Sequence, residues 1–284
     1  MPALPALLSA THPDVGIALL TSLLLGLVHG VIPDEHTWPI TFSYAMGSYS
    51  TRRGLFAGLL FSLTFTLQRA IASELAWFGL SHWMQNDSLN RVLLVVIGAL
   101  MIIGSNLMHQ KQKDTRHRHP VLNSLTSSMP ALHGFIAGWG FGAFALILYT
   151  TLAPAMPNAY WGWLPGALFG FGTAIVQATA GAFFGHLAAS RNLSADDLRD
   201  LALFTAARTL RFGGMAYVAA GVSSIIWPEL AHWQFDTHIP VYGIDSLDIP
   251  IIIAIFGVIV VGLGTFFSRL RQLSRRTKTN VETK

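Results

Sequence analysis

Two histidines and two acidic residues stand close together near the start of this 284-residue chain. His29 is followed by Gly-Val-Ile-Pro and then by Asp34, Glu35 and His36. Imidazole nitrogens and carboxylate oxygens, with no sulfur donor, suit borderline divalent ions such as Ni²⁺, Co²⁺, Zn²⁺ and Fe²⁺. Ionisable side chains inside an apolar segment usually mark an ion site or a transport path. These four residues are therefore candidate metal ligands.

The spacing of the four residues requires an interrupted helix if they are to share one ion. In a continuous helix His29 and His36 lie two turns apart, roughly 10 Å along the axis. Pro33 lacks an amide proton and its ring clashes with the carbonyl four residues earlier, so it ends or kinks a helix. We expect non-helical backbone from about His29 to Trp38, which would let Asp34 and His36 turn back toward His29. The alternative is that the acidic segment is a solvated turn and His29 a packed core histidine.

The composition predicts an all-α, polytopic membrane protein. The chain is 52% hydrophobic and only 11% charged, with a mean hydropathy of +0.50; these values are typical of a chain that crosses the bilayer several times. It contains no Cys, which excludes disulfides, thiolate ligands and cysteine nucleophiles. Most basic residues lie in connections beside the apolar segments, so the expected partner is the lipid bilayer and not nucleic acid. Homo-oligomerisation stays open.

Seven apolar segments are long enough to cross a bilayer. They cover about Val15–Tyr49, Leu55–Leu80, Arg91–Met108, Ala131–Met156, Gly162–Ala188, Arg211–Trp227 and Ile249–Phe267. Lys and Arg fall in alternate connections, while most Trp and Tyr residues fall near the others. By the positive-inside rule, the N-terminus is outside and the C-terminus is cytoplasmic. We expect an integral protein of the bacterial inner (plasma) membrane.

The first six segments predict an inverted repeat. Three spans precede the fourth, so spans one to three and four to six run in opposite directions. Shifting the sequence by 108 residues superposes glycine on glycine at three places and Leu-Phe on Leu-Phe at one. The pairs are Gly26 and Gly134, Gly30 and Gly138, Gly58 and Gly166, Leu60 and Leu168, and Phe61 and Phe169. The predicted organisation is residues 1–108 as the first repeat, 109–130 as a cytoplasmic loop, 131–228 as the second repeat, and 229–284 as an outer loop, a seventh span and a basic tail.

The order His, four residues, Asp, one residue, His in an early span resembles the signature of the nickel/cobalt transporter superfamily. The loop that contains His109, His117 and His119 is similar to the histidine-bearing loop between the halves of those carriers. The resemblance implies a three-plus-three-helix carrier whose cargo is a divalent transition-metal ion, with no tightly bound cofactor. This chain departs from the family in the second span, where Leu63-Thr64-Phe65-Thr66 replaces the usual Gly-His-Ser.

The second span carries two further charges, Arg69 and Glu74. A charged group at membrane depth needs a partner. For Arg69 the partner can be Asp34 or Glu35, an anionic substrate, or Glu74 as a structural pair. The predicted pathway or supporting residues of this span are Arg69, Gln68, Thr64 and Glu74.

These observations favour a membrane transporter for divalent transition-metal ions, and not an enzyme. No nucleotide-binding motif is present, so ATP coupling within this chain is not expected. The first alternative is a secondary carrier of a small anionic or zwitterionic solute that uses Arg69 as its clamp. The second is a membrane metalloenzyme in which His29, Asp34 and His36 hold a catalytic ion.

Overall fold

The computed structural model describes residues 15–31, 38–47, 50–84, 87–113, 120–140, 142–190, 193–238 and 246–282. Most of these residues are helical. Four helices are long and apolar enough to cross a membrane, which indicates an integral membrane protein. They cover Thr51–Trp77, Ser88–Gln110, Ala159–His186 and Asp196–Ile226.

The helices follow one another along the chain with two short strands near the end. The first half contains α1 (Val15–Val31), α2 (Trp38–Gly47), α3 (Thr51–Trp77), α4 (Ser81–Met84), α5 (Asp87–Lys113) and α6 (Pro120–Ala137). The second half contains α7 (Ala143–Ile147) with a π-helix (Leu148–Leu152), α8 (Ala159–Gly162), α9 (Leu164–Ala189) and α10 (Ala195–Ile226). A 3₁₀-helix (Pro228–His232), β1 (Gln234–Asp236), β2 (Ser246–Asp248), α11 (Ile249–Ile255), a second π-helix (Phe256–Leu263) and α12 (Gly264–Glu282) complete the order.

Two antiparallel helix pairs form the centre of the bundle. Helix α3 packs along α9, and α5 packs along α10. Helix α1 lies against α9 on one side, and α6 lies against α3 on the other. The core side chains of this region are mainly aromatic and aliphatic and include Phe61, Phe65, Phe169 and Tyr149, all of them almost fully buried.

Glycines let the backbones approach closely at these crossings. A Cβ atom on Gly26 of α1 would overlap the Phe169 carbonyl of α9, and one on Gly134 of α6 would overlap the Phe61 carbonyl of α3. Small residues at such contacts are typical of helices that associate in membranes, where close packing replaces the hydrophobic effect. The glycines of this chain therefore set the distances between the helices that surround the candidate site.

Helix ends differ from the predicted segments at several places. The predicted first span is divided into α1 and α2, and the predicted fourth is divided into α6 and α7 with its π-helix. Helix α10 begins at Ala195, well before the predicted Arg211, because Ser194 accepts a hydrogen bond from the Asp197 amide and caps the helix start. The prediction of a loop over 109–130 is wrong at both ends, since α5 continues to Lys113 and α6 begins at Pro120.

The end of the chain is tied to the bundle on the side predicted to be cytoplasmic. Strands β1 and β2 pair antiparallel, with Phe235 opposite Leu247, and form a small exception to the predicted all-α class. Arg269 of α12 forms an ion pair with Asp200 of α10 at 2.8 Å, and Gln112 of α5 donates to the same carboxylate at 2.7 Å. This network holds α12 against α5 and α10.

Candidate functional site

His29 lies inside the bundle, near the end of α1, and is only 9% exposed. Its imidazole is stacked on Phe65 of α3, with ring centroids 5.9 Å apart. Phe169 of α9 lies at 5.1 Å and Phe144 of α7 at 5.8 Å. The histidine therefore stands where four segments of the chain meet. The other three candidate ligands, Asp34, Glu35 and His36, lie outside the described residues.

The predicted interruption of the first apolar segment is confirmed. Helix α1 ends at Val31, two residues after His29, and α2 begins at Trp38. In a continuing helix the Gly30 carbonyl would accept from the amide of residue 34. Here it accepts from the Trp38 indole at 3.1 Å and from the Gln177 side-chain amide of α9 at 3.3 Å. The segment between α1 and α2 thus begins and ends beside the same carbonyl group.

Arg69 of α3 is buried to the same degree as the apolar core, with 3% of its surface exposed. Its guanidinium donates from Nη1 to the Tyr149 hydroxyl at 2.9 Å. The carbon of the guanidinium lies 4.8 Å from the centre of the Phe65 ring, 5.5 Å from that of Phe169 and 5.9 Å from that of Tyr149. Three aromatic rings therefore surround a permanent positive charge.

No carboxylate of the described residues lies within ion-pair distance of Arg69. The expectation that Glu74 pairs with it structurally is therefore wrong, because a five-residue separation places the two side chains on different faces of α3. Removing a charge from water costs several kcal/mol even after relaxation. Each desolvated cation–π contact returns about 2 kcal/mol at best. The rings offset much of this cost but supply no hydrogen-bond acceptor.

His29 and Arg69 belong to one polar centre, since Phe65 and Phe169 contact both of them. We call the group of His29, Phe65, Arg69, Tyr149 and Phe169 the His29–Arg69 centre. It joins α1, α3, α9 and the π-helix that follows α7. Chemically, it offers an imidazole that can bind a metal or carry a proton. It also offers a guanidinium, which binds anions through a planar fork of donors.

The remaining predicted residues of α3 lie elsewhere. The Thr64 hydroxyl lies 2.9 Å from the Phe61 carbonyl oxygen of its own helix. Gln68 is 1% exposed and packs against Gly138 beyond the end of α6, and within the described chain neither polar atom of its side chain has a hydrogen-bond partner. Glu74 lies toward the other end of α3, beside Gly162. Arg69 is thus the predicted pathway residue that the fold places beside His29.

Sequence reasoning missed three residues of this region. Tyr149 and Phe169 gave no signal, because a lone aromatic residue in an apolar segment is typical of any core. Gln177 could have been found, since the shift of 108 residues that superposes the glycines also superposes Arg69 on Gln177.

The described residues contain no cluster of three or more His, Asp or Glu side chains arranged to hold a metal ion. A metal site at His29 would therefore need donors from residues 32–37. No protein-family model matches the chain, and no curated protein or solved structure matches it at a significant level. The likeness to nickel/cobalt transporters accordingly stays a prediction from the motif in the first span.

Proposed function

We propose that the protein is a membrane transporter for a divalent transition-metal ion, which binds at the interruption of the first span. The observation that carries the proposal is the end of α1 inside the bundle, two residues after the buried His29. Discontinuous helices form the substrate sites of many secondary transporters, because the broken ends offer polar groups at membrane depth. The segment after this break carries Asp34, Glu35 and His36.

The proposal includes an inverted repeat of three plus three helices with an offset of 108 residues. The glycine contacts support it, because each contact has a counterpart when both residues are shifted by that number. Gly26 meets Phe169, and Gly134 meets Phe61. Gly30 meets Val176, and Gly138 meets Gln68; Gly58 meets Gln177, and Gly166 meets Arg69. An exchange of this kind is expected when two copies of one unit pack around a twofold axis.

The starts of the long helices support the same offset. Helix α3 begins at Thr51 and α8, which leads into α9, begins at Ala159. Helix α5 begins at Asp87 and α10 begins at Ala195. In this arrangement the interruption after α1 corresponds to the interruption between α6 and α7. The seventh crossing, formed by α11 and its π-helix, lies outside the repeat, and the N-terminus is outside the cell.

The charge of Arg69 explains why a metal site here needs both acidic residues. His29 and Arg69 contact the same rings, so a divalent ion on His29 would stand roughly 10 Å from the guanidinium. At an effective dielectric constant of about 20, the repulsion is about 3 kcal/mol. The imidazole is neutral as a ligand and cannot offset this repulsion. Asp34 and Glu35 would supply the two negative charges that a divalent cargo needs.

The test is metal flux into vesicles that contain the purified protein. Ni²⁺, Co²⁺, Zn²⁺ and Fe²⁺ are offered in turn, with Mg²⁺ as the hard-ion control. We expect saturable flux of at least one of the four and none of Mg²⁺, since nitrogen donors disfavour magnesium. Absence of flux for all four ions would contradict the proposal. Bound metal without flux would favour the metalloenzyme, and flux of a small solute that needs no metal would favour the solute carrier.

A further inference from the structure

We infer that Arg69 and Tyr149 form a binding site for one small anion, of the size of a halide or a carboxylate group, in the middle of the bundle. The site goes beyond the proposed function, because it requires neither a metal nor residues 32–37. The evidence is a buried positive charge that has aromatic neighbours and one hydrogen bond to a neutral hydroxyl.

The hydrogen bonds of Arg69 leave room for an acceptor. A guanidinium has five N–H donors. The bond to Tyr149 uses one of them, and Nε is buried without a partner in the part of the chain that the structure describes. A buried donor without an acceptor costs as much as a lost hydrogen bond, and more when it belongs to a charged group. An anion would satisfy the donor and the charge together.

The surroundings of the guanidinium select a small, weakly hydrated anion. The rings of Phe65, Phe169 and Tyr149 lie within 6 Å of the guanidinium carbon and exclude a large hydrated group. The backbone carbonyl of Arg69 also lies against Gly166 of α9, so the crossing of the two helices fixes the level of the guanidinium. A halide or a carboxylate fits beside such a fork, since both are small or planar.

The anion site would also act on a cation bound at His29. An anion at Arg69 removes the repulsion between the guanidinium and a metal ion, so each ion should strengthen binding of the other. This coupling rests on the proposed function, whereas the anion site does not. Anion binding is therefore measured first in metal-free buffer with a chelator.

The experiment uses two probes of the purified full-length protein. In the first, crystals are soaked in bromide, and the anomalous signal locates the ion. In the second, chloride replaces gluconate in a titration of thermal stability. We expect a bromide peak beside the Arg69 guanidinium and a saturable stabilisation by chloride. Arg69→Gln should weaken the apparent chloride affinity by about 10-fold or more, the usual loss for a hydrogen bond to a charged group. Arg69→Lys, which keeps the charge without the fork, should lie between the two.

The matched control is Arg91→Gln, which removes one positive charge from α5, where Arg91 donates to Ser224 and Ser88. It should leave the chloride titration unchanged. A carboxylate of Asp34 or Glu35 at the guanidinium in place of bromide would overturn the inference, and so would equal chloride dependence in wild type and Arg69→Gln. If Arg69→Gln does not fold, the bromide map decides alone. Chloride flux through vesicles would identify the anion as cargo, and binding without flux as a fixed counter-ion.

Discussion

Replacement of Gly166 by alanine should destabilise the crossing between α3 and α9. A methyl group at this position would overlap the carbonyl group of Arg69 and come within 2.6 Å of the Ser73 Cβ atom. The main obstacle is backbone, which cannot rotate away, so the helices must separate. Overpacking of this kind costs about 1–3 kcal/mol. Alanine regains about 1 kcal/mol as the better helix former. We expect a net loss of about 2 kcal/mol for Gly166→Ala.

The symmetric position and an open position provide the controls. Gly58→Ala meets the Gln177 carbonyl in the same way and should also destabilise the protein. Gly264, at the start of α12, has no neighbour within 4 Å among the described atoms, and Gly264→Ala should be neutral or stabilising by up to about 1 kcal/mol. Equilibrium unfolding in mixed micelles measures all three variants. Equal stability of Gly166→Ala and Gly264→Ala would refute the argument that this glycine sets the helix distance.

Two further predictions concern the end of α1 and the orientation in the membrane. Gln177→Ala removes one of the two donors to the Gly30 carbonyl and should lower stability by about 1–3 kcal/mol, measured by the same unfolding experiment. A single cysteine at Asp236 should react with an impermeant reagent from outside, and one at Ser190 should react only from the cytoplasm, which is readable because the chain has no native Cys.

Each of these predictions has a clear opposite. Thr179 lies on the same helix and bonds only back to the Ile175 carbonyl, so Thr179→Ala serves as the control for Gln177→Ala. Equal stability of the two variants would mean that Gln177 does not hold the end of α1. Labelling of position 236 from the cytoplasm alone would overturn the orientation.

The class of fold and the interruption of the first span could be predicted from the sequence. High hydropathy and few charges indicate membrane helices regardless of packing, and Pro33 cannot continue a helix. Helix ends were less predictable, because α5, α6 and α10 extend beyond the apolar windows into polar sequence. Only tertiary contacts and a local cap decide those ends.

The neighbours of His29 and Arg69 could not be predicted. Spacing along α3 indicated that Arg69 is costly, and its partner was expected to be an acidic residue. In the described chain the guanidinium is surrounded by aromatic rings from three segments and bonds to Tyr149 of the π-helix. Sequence separation between these residues gives no information on contact, which depends on how α3 and α9 cross. The glycine pattern indicated that crossing only after its contacts were known.

The most direct test of the central claim is the rate of metal flux in vesicles for three variants of the full chain. Transport of a metal through the interrupted first span predicts that His29→Ala and Asp34→Ala each abolish flux, because losing one donor from a small site removes affinity and geometry together. His82→Ala, which changes an exposed histidine remote from this span, should keep the wild-type rate. Normal metal flux in His29→Ala, with a severe defect in Arg69→Gln, would contradict the claim and identify an anion as the cargo.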